Sequence, residues 1–384
     1  MSSLPEGQPR SGEAVEVPFL DLRGSFEAIR DDVLADLSRS LSSGAFTNGP
    51  AVREFEEAFA AYCEVADCVG LASGLDALRL ALQALDVGPG DEVLVPAMTF
   101  IATWEAVSQL GATPVPVDVT TVDYGIDLEA ADAAVGARTR AVVPVHLYGQ
   151  MVDPEACRRF TSARGLAIVE DACQAHGAER RGVRAGSFGA AAAFSFYPTK
   201  NLGAMGDAGA LVTSDLELAS RARALREHGQ RRKNEHSWIG WTARLDTIQA
   251  AALLRKLPLL DSWNEGRRTA AARYEQALAG VGDLVLPPVA ADSQPAWHVY
   301  VVMTRDPAGL ANYLSERRIQ TGRHYPEPIH LGEAYRALGY QRGAFPVAER
   351  LARECLSLPM FPGMTESHVE AVVRGIESWF ASGR

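Results

Sequence analysis

The sequence predicts an α/β protein: a large domain with a mostly parallel seven-stranded sheet between helices, and a smaller C-terminal α+β domain. Three observations carry this. Seven short apolar runs recur between residues 67 and 214, helical patterns lie between several of them, and the texture changes after residue 256. Strands that are apolar throughout and alternate with helices build a parallel sheet covered on both faces. At 384 residues the chain exceeds one small core, given roughly 100 to 200 residues per domain. The expected division is a mobile N-terminal tail (1–16), a large domain (17–256) and a small domain (257–384).

Taken in order, apolar periodicity places helices near 25–42 and 51–63. The strands then read DCVGLA (67–72), EVLVPA (92–97), TPVPVD (113–118), RAVVPVHL (140–147), LAIVED (166–171), AAAAFSF (190–196) and GALVTS (209–214). Between them, 75–85, 100–110 and 154–164 have helical patterns. A long helical stretch runs from Leu245 to about Leu278, with Pro258 as its expected kink. Beyond it come a strand (296–303), a helix (307–317), the loop-rich RHYPEPIHLGEAY (323–335) and a closing helix (366–380).

Composition narrows the partners. A formal net charge of -11 disfavours nucleic acid and anionic membranes, so an anionic ligand needs a local pocket of arginines or backbone amides. No run approaches the roughly 18 apolar residues of a membrane span, and the polar N-terminus lacks a signal-peptide core. The five cysteines form no C-x-x-C pair, which argues against a disulfide framework and against a zinc knuckle. The expected location is the cytoplasm, and no metal site is expected.

Against thirty-four arginines the chain has three lysines, and Lys200 lies in FSFYPTKNLGAMGDAG, one turn beyond an apolar strand. Ligands of such sheets sit beyond the carboxyl ends of the strands. A lysine can be neutralised by burial and act as a nucleophile, which an arginine cannot. There it can form a Schiff base with an aldehyde cofactor, and Ser195 can bind that cofactor's phosphate. A second strand ends in Glu170 and Asp171, carboxylates that serve equally well as a helix cap or loop ligand. A pyridine cofactor needs an anion against its ring nitrogen, and Asp171 is preferred over Glu170 because its shorter side chain is held more rigidly. Gln174 can bond the phenolic oxygen of the same ring. The third feature, GLASGLDALRLAL, is a strand, a Ser73-Gly74 turn and a helix start. Its Ser73 and Asp76 suffice for a capping box, while the free amides of the turn offer a phosphate site. No G-x-G-x-x-G opens a helix after a strand, and no G-x-x-x-x-G-K-[ST] occurs.

SGLDAL, PAMT followed by Phe100, EDACQAHGA, FSFYPTKNLGAMGDAGA, GWTARLDTIQAA and HYPEPIH occur in an order that closely resembles the pyridoxal-phosphate-dependent sugar aminotransferases of the DegT/StrS family. The resemblance runs from VPFLDL (17–22) to the C-terminal helix. It implies the fold of type I, aspartate-aminotransferase-like enzymes, with pyridoxal 5′-phosphate as cofactor. Lys200 matches the lysine that links to the cofactor, and Asp171 the residue that pairs with the pyridine nitrogen. Gln174 matches the contact to the ring hydroxyl. Ser195 and the Ser73-Gly74-Leu75 turn match phosphate contacts, and Phe100 sits where an aromatic stacks on the ring. The resemblance also implies a homodimer with shared active sites, in which 229–246 reaches into the partner's site. Most relatives carry Asn where this chain has Thr242, and that Asn reaches the cofactor phosphate from the other subunit; threonine has a shorter reach.

The implied reaction takes an amine from L-glutamate, releases 2-oxoglutarate, and passes the amine to a nucleotide-linked keto sugar with Lys200 as general acid and base. Related sugar dehydratases carry His at that position, so the lysine favours amine transfer. The form FYPTKNLGAMGDAGA, with HYPEPIHLGEAY, is most similar to enzymes acting at position 3 of dTDP-3-keto-6-deoxyhexoses in deoxyaminosugar pathways. Amination at position 4 is the alternative, and a non-catalytic regulatory protein that binds the cofactor is the alternative of another class. His324, Tyr325 and His330 are candidate sugar or nucleotide contacts, or parts of a rigid turn. Lys233, with Arg231 and Arg232, is a candidate for the substrate diphosphate, or a basic surface loop.

Overall fold

The structure is a computed structural model that describes residues 15–383, so positions 1–14 of the expected tail lie outside the described residues. All seven expected strands pair into one sheet. They are β1 (Asp67–Leu71), β2 (Glu92–Pro96), β3 (Thr113–Val117), β4 (Thr139–Val142), β5 (Ala167–Asp171), β6 (Ala191–Ser195) and β7 (Gly209–Thr213), in the order β1-β7-β6-β5-β4-β2-β3. Every neighbouring pair is parallel except those of β7, which runs antiparallel between β1 and β6.

The strands read as unbroken apolar runs because both faces are buried. Leu94, Val142, Ile168 and Ala192 point into one core, while Val93, Val95, Ala141 and Val169 point into the other. The helix Gly74–Ala84 fills the second core with Leu78, Leu80 and Leu82. Each fully buried leucine contributes roughly 1.5–3 kcal/mol from the water it sheds. Strand β4 is shorter than expected, ending before Pro144, which has no N–H to continue a ladder; the chain rejoins the sheet at a single Val145–Asp171 bridge.

The long helical stretch divides into Thr247–Lys256, one tight turn at Leu257–Leu259 containing Pro258, and Leu260–Leu278. The C-terminal part has its own two-stranded antiparallel pair, β8 (Tyr300–Met303) and β9 (Cys355–Leu358). Helices Leu260–Leu278, Pro307–Ser315 and Glu366–Ala381 cover it around a separate apolar core. Val17 is buried in that core and bridges to Ile319, so the N-terminal segment packs on the C-terminal part. Helices Leu216–Arg226 and Pro346–Glu354, and strand β9, have no counterpart in the sequence reading. Among the described residues no helix is long and apolar enough to cross a membrane.

Candidate active site

The carboxyl ends of β1, β5 and β6 open on the same edge of the sheet. Gly209, the first residue of β7, pairs there with both Leu71 and Ser195. A cavity of about 530 Å³ lies against this edge, and Ser73, Gly74, Leu75, Phe100, Asp171, Gln174, Ser195, Lys200, His324 and Tyr325 all line it.

Lys200 stands on a turn closed by its own N–H, which donates to the Tyr197 carbonyl at 2.8 Å. Burial pushes its amine below the usual lysine range, outweighing the attraction of Cys173 and Asp171. Asp171 ends β5 and is buried; its Oδ2 accepts from the Thr103 hydroxyl at 2.7 Å and its Oδ1 from the Cys173 N–H at 3.2 Å. Thr103 is backed in turn by Thr99 at 2.8 Å. Glu170 points the other way. Its two oxygens take the N–H groups of Gly186, Phe188 and Gly189 and the His146 ring, so it is a fully engaged structural carboxylate. Gln174 accepts from the Tyr148 N–H at 2.7 Å and donates to the Tyr325 hydroxyl at 3.1 Å.

Opposite these groups, Ser73 caps the helix Gly74–Ala84, accepting from the Asp76 N–H at 3.0 Å and donating to the Asp76 carboxylate at 2.9 Å. The first N–H groups of a helix have no acceptor within it, and the helix dipole adds partial positive charge there. Two glycines keep this corner tight. A Cβ on Gly74 would meet Cys173 Sγ at 2.7 Å and Ser195 Cβ at 2.8 Å, and one on Gly209 would strike the Ser73 carbonyl. The glycines of FSFYPTKNLGAMGDAG are therefore close-approach positions, Gly209 against Ser73 and Gly203 against the Pro198 carbonyl.

Phe100 is half exposed at the mouth, its ring 5.6 Å from that of Tyr325. His324 bonds Ser357 Oγ through Nδ1 at 2.8 Å and stacks on Phe19 at 5.7 Å. Burial, with Lys200 nearby, pushes His324 down to about 4. The sequence reading missed His298, a buried residue that also lines the cavity, with its Nδ1 unpartnered and its pKa held well down by burial. It lies in AWHVYVV, where the apolar alternation spoke only for a strand. Thr103 was missed too, since nothing local marks a helical threonine as the partner of a distant aspartate.

Three expected contacts lie elsewhere. His330 is fully buried, 3.2 Å from Glu349, and away from the cavity. Lys233 is exposed on a hairpin formed by Gln230–Arg232 and Glu235–His236. Thr242 is exposed beside the His228 ring at 3.2 Å, outside the cavity of its own chain.

The residues fit pyridoxal 5′-phosphate. Lys200 would hold its aldehyde, Asp171 its ring nitrogen, Gln174 its hydroxyl, and the Ser73–Leu75 helix start with Ser195 its phosphate, while Phe100 would cover the ring. The pared-back Gly74/Gly209 corner leaves the helix amides open to a bulky anion.

Residues 27–377 match the DegT/DnrJ/EryC1/StrS aminotransferase family. The dTDP-3-amino-3,4,6-trideoxy-alpha-D-glucose transaminase of Streptomyces venezuelae is 47% identical over 96% of this chain and 97% of its own. EryC1 of Saccharopolyspora erythraea, named an erythromycin biosynthesis sensory transduction protein, is 47% identical over 95% of this chain and all of its own (100%). A crystal structure of S. venezuelae DesV with a ketimine intermediate superposes with a TM-score of 0.93 at 47% identity, covering 95% of this chain and 98% of that one. That of ntda from Bacillus subtilis with bound PMP superposes at 0.89 and 30% identity, covering 97% and 87%.

Proposed function

The chain belongs to the DegT/DnrJ/EryC1/StrS aminotransferase family, and we propose that it transfers the amino group of L-glutamate to carbon 3 of a dTDP-linked 3-keto-6-deoxyhexose. It is a pyridoxal-phosphate transaminase of a nucleotide sugar. The observation that carries this reading is Lys200, a partly desolvated amine facing buried Asp171 across a cavity closed by a helix start.

When bound, the cofactor supplies an electron sink for the pair left behind as the donor loses its alpha proton. The chain supplies the rest. The Lys200 amine, held below the usual lysine range, would take that proton and deliver it to the carbon that carried the cofactor's aldehyde, a shuttle that works best when the amine is not locked in its charged form. Asp171 stays fixed by Thr103 and the Cys173 N–H, so its charge is aimed without reorganisation. Phe100 and Tyr325 narrow the mouth and limit water.

Position 3 is supported by relatives whose names specify 3-amino sugars, at 47% identity in Streptomyces venezuelae and 42% in both Aneurinibacillus thermoaerophilus and Micromonospora megalomicea. His324 and Tyr325 are proposed to meet the sugar, and Lys233 and His330 lie too far from the cavity of their own chain to do so there. A homodimer is proposed in which hairpin 229–246 carries Lys233 and Thr242 to the partner's site; Ile239, 92% exposed on it, supports a covered surface. The division into a large unit (17–256) and a small unit (257–384) is supported by the apolar core around Val302 and Ile376, in which Val17 is docked, while a further cluster joining Met98 and Tyr148 to Val301 and Leu351 packs the two units together. Five unpaired cysteines suit a cytoplasmic setting.

The experiment offers the amine-loaded enzyme 3-keto and 4-keto dTDP-hexoses and locates the new amine by NMR. Amination at carbon 4 alone would replace the substrate assignment. The same sample tests the regulatory alternative: colour that does not bleach with L-glutamate would favour a binding protein without turnover.

A further inference from the structure

Of the three lysines, two lie at the same site. Lys256 ends the helix Thr247–Lys256 and is buried, yet its ammonium makes one hydrogen bond, to the Gly203 carbonyl at 2.8 Å. Gly203 closes the turn that carries Lys200, pressed so tightly on Pro198 that a side chain would collide with its carbonyl. On its other side the ammonium sits 3.3 Å from the centre of the Phe26 ring, in the N-terminal segment. Lys256, Lys200, Arg267 and Asp21 line one narrow cleft behind the cavity; Arg267 is spent on the Trp297, His298 and Met360 carbonyls, and Asp21 on Arg23. A buried cation whose hydrogen bond goes to a backbone carbonyl is an expensive way to fill a core, where leucine or methionine would pack without the desolvation cost.

We propose that Lys256 is a positioning residue: it pulls the Gly203 carbonyl back and so fixes the 198–203 turn from which Lys200 reaches the cavity, with Phe26 covering its charge. The clamp explains why the N-terminal segment is tied down at both ends of the site. Phe26 sits behind Lys200, and Phe19 stacks on His324 in front. Burial pushes Lys256 down to about 7, so the strength of the clamp changes across neutral pH: charged below, it binds both carbonyl and ring, and neutral above, it keeps only a weaker hydrogen bond.

The proposal rests on Lys200 as the reactive amine, and the test separates the two. Wild type, Lys256→Met and Phe26→Leu are loaded with pyridoxal phosphate, reduced with borohydride and mapped by mass spectrometry, which is unambiguous with three lysines in the chain. The kcat and KM for L-glutamate are then followed across neutral pH, and the melting temperature of the unloaded proteins is recorded. All three should trap the label at Lys200. Lys256→Met should lose roughly 10-fold in kcat with KM nearly unchanged, as a small displacement of a reacting group does. Its deficit should shrink as pH rises through about 7. Phe26→Leu should show the same trend more weakly, and it carries the test if Lys256→Met fails to fold. An unchanged kcat, or a loss that is flat with pH and follows the melting temperature, overturns the clamp. Label elsewhere than Lys200 in the wild type overturns both assignments.

Discussion

Replacing Thr103 by valine keeps the shape of a buried side chain and removes one hydroxyl, which leaves Asp171 Oδ2 without its 2.7 Å donor. The remaining support is weaker, the longer Cys173 N–H contact at 3.2 Å and the thiol of the same residue, a poor donor. A hydrogen bond to a charged group contributes about 1.5–3 kcal/mol, and each 1.4 kcal/mol is about a factor of ten in rate. If Asp171 must be held in one orientation for the reaction, Thr103→Val therefore slows the L-glutamate half-reaction by roughly 10- to 100-fold. The assay is single-turnover release of 2-oxoglutarate from the loaded enzyme, with the urea midpoint of the unloaded protein measured alongside. Thr103→Ser is the control: it retains the hydroxyl, loses a methyl, and should stay within a few-fold of wild type. A folded Thr103→Val protein with wild-type single-turnover rate would refute the claim that this hydroxyl aims the carboxylate.

Lys200→Arg should abolish multiple turnover while leaving the fold intact, since arginine stays protonated; sustained turnover in that variant would end the assignment. Gly74→Ala forces a Cβ to within 2.7 Å of Cys173 Sγ and 2.8 Å of Ser195 Cβ, so pyridoxal phosphate affinity should fall roughly 10-fold or more, read by equilibrium dialysis. His176, pushed by burial down to about 3, and His324, down to about 4, are neutral when folded, whereas their unfolded counterparts protonate near 6.5. Because the unfolded state takes up protons first, stability present above about 6.5 should decline steadily as pH falls toward 4. A urea midpoint that stays level between neutral and mildly acidic pH would contradict this.

The large-domain sheet was legible because burial on both faces erases the polar alternation and leaves seven apolar runs. Strand β9 was not, because CLSL is short, contains a serine and gains its meaning only by pairing with β8 some fifty residues earlier. The same division holds in the site. Lys200, Asp171, Ser195 and Ser73 stand at strand ends, where order along the chain determines place in space. Thr103 and Lys256 reach the site from helices and His298 from the bend before β8, and their roles depend on contacts that periodicity does not encode. HYPEPIH shows the limit of a motif: His324 and Tyr325 face the cavity, while His330, six residues on, turns inward to Glu349.

The neighbouring carboxylates of β5 sharpen this. The short reach of aspartate was the sequence-level reason for preferring Asp171 to Glu170, but the structure supplies a stronger one. Successive residues of a strand point to opposite faces, so only one of two adjacent carboxylates can meet the cavity, and the register set by Val169↔Ala191 and Asp171↔Ala193 decides which. Glu170 falls on the far face, where three backbone N–H groups and His146 hold the 186–189 turn against the sheet. The two acids thus divide the labour of one strand end. Glu170 fixes the backbone from below, which fixes Asp171, and Asp171 is then aimed at the cavity with the Thr103 hydroxyl on its Oδ2 and the Cys173 thiol beside it.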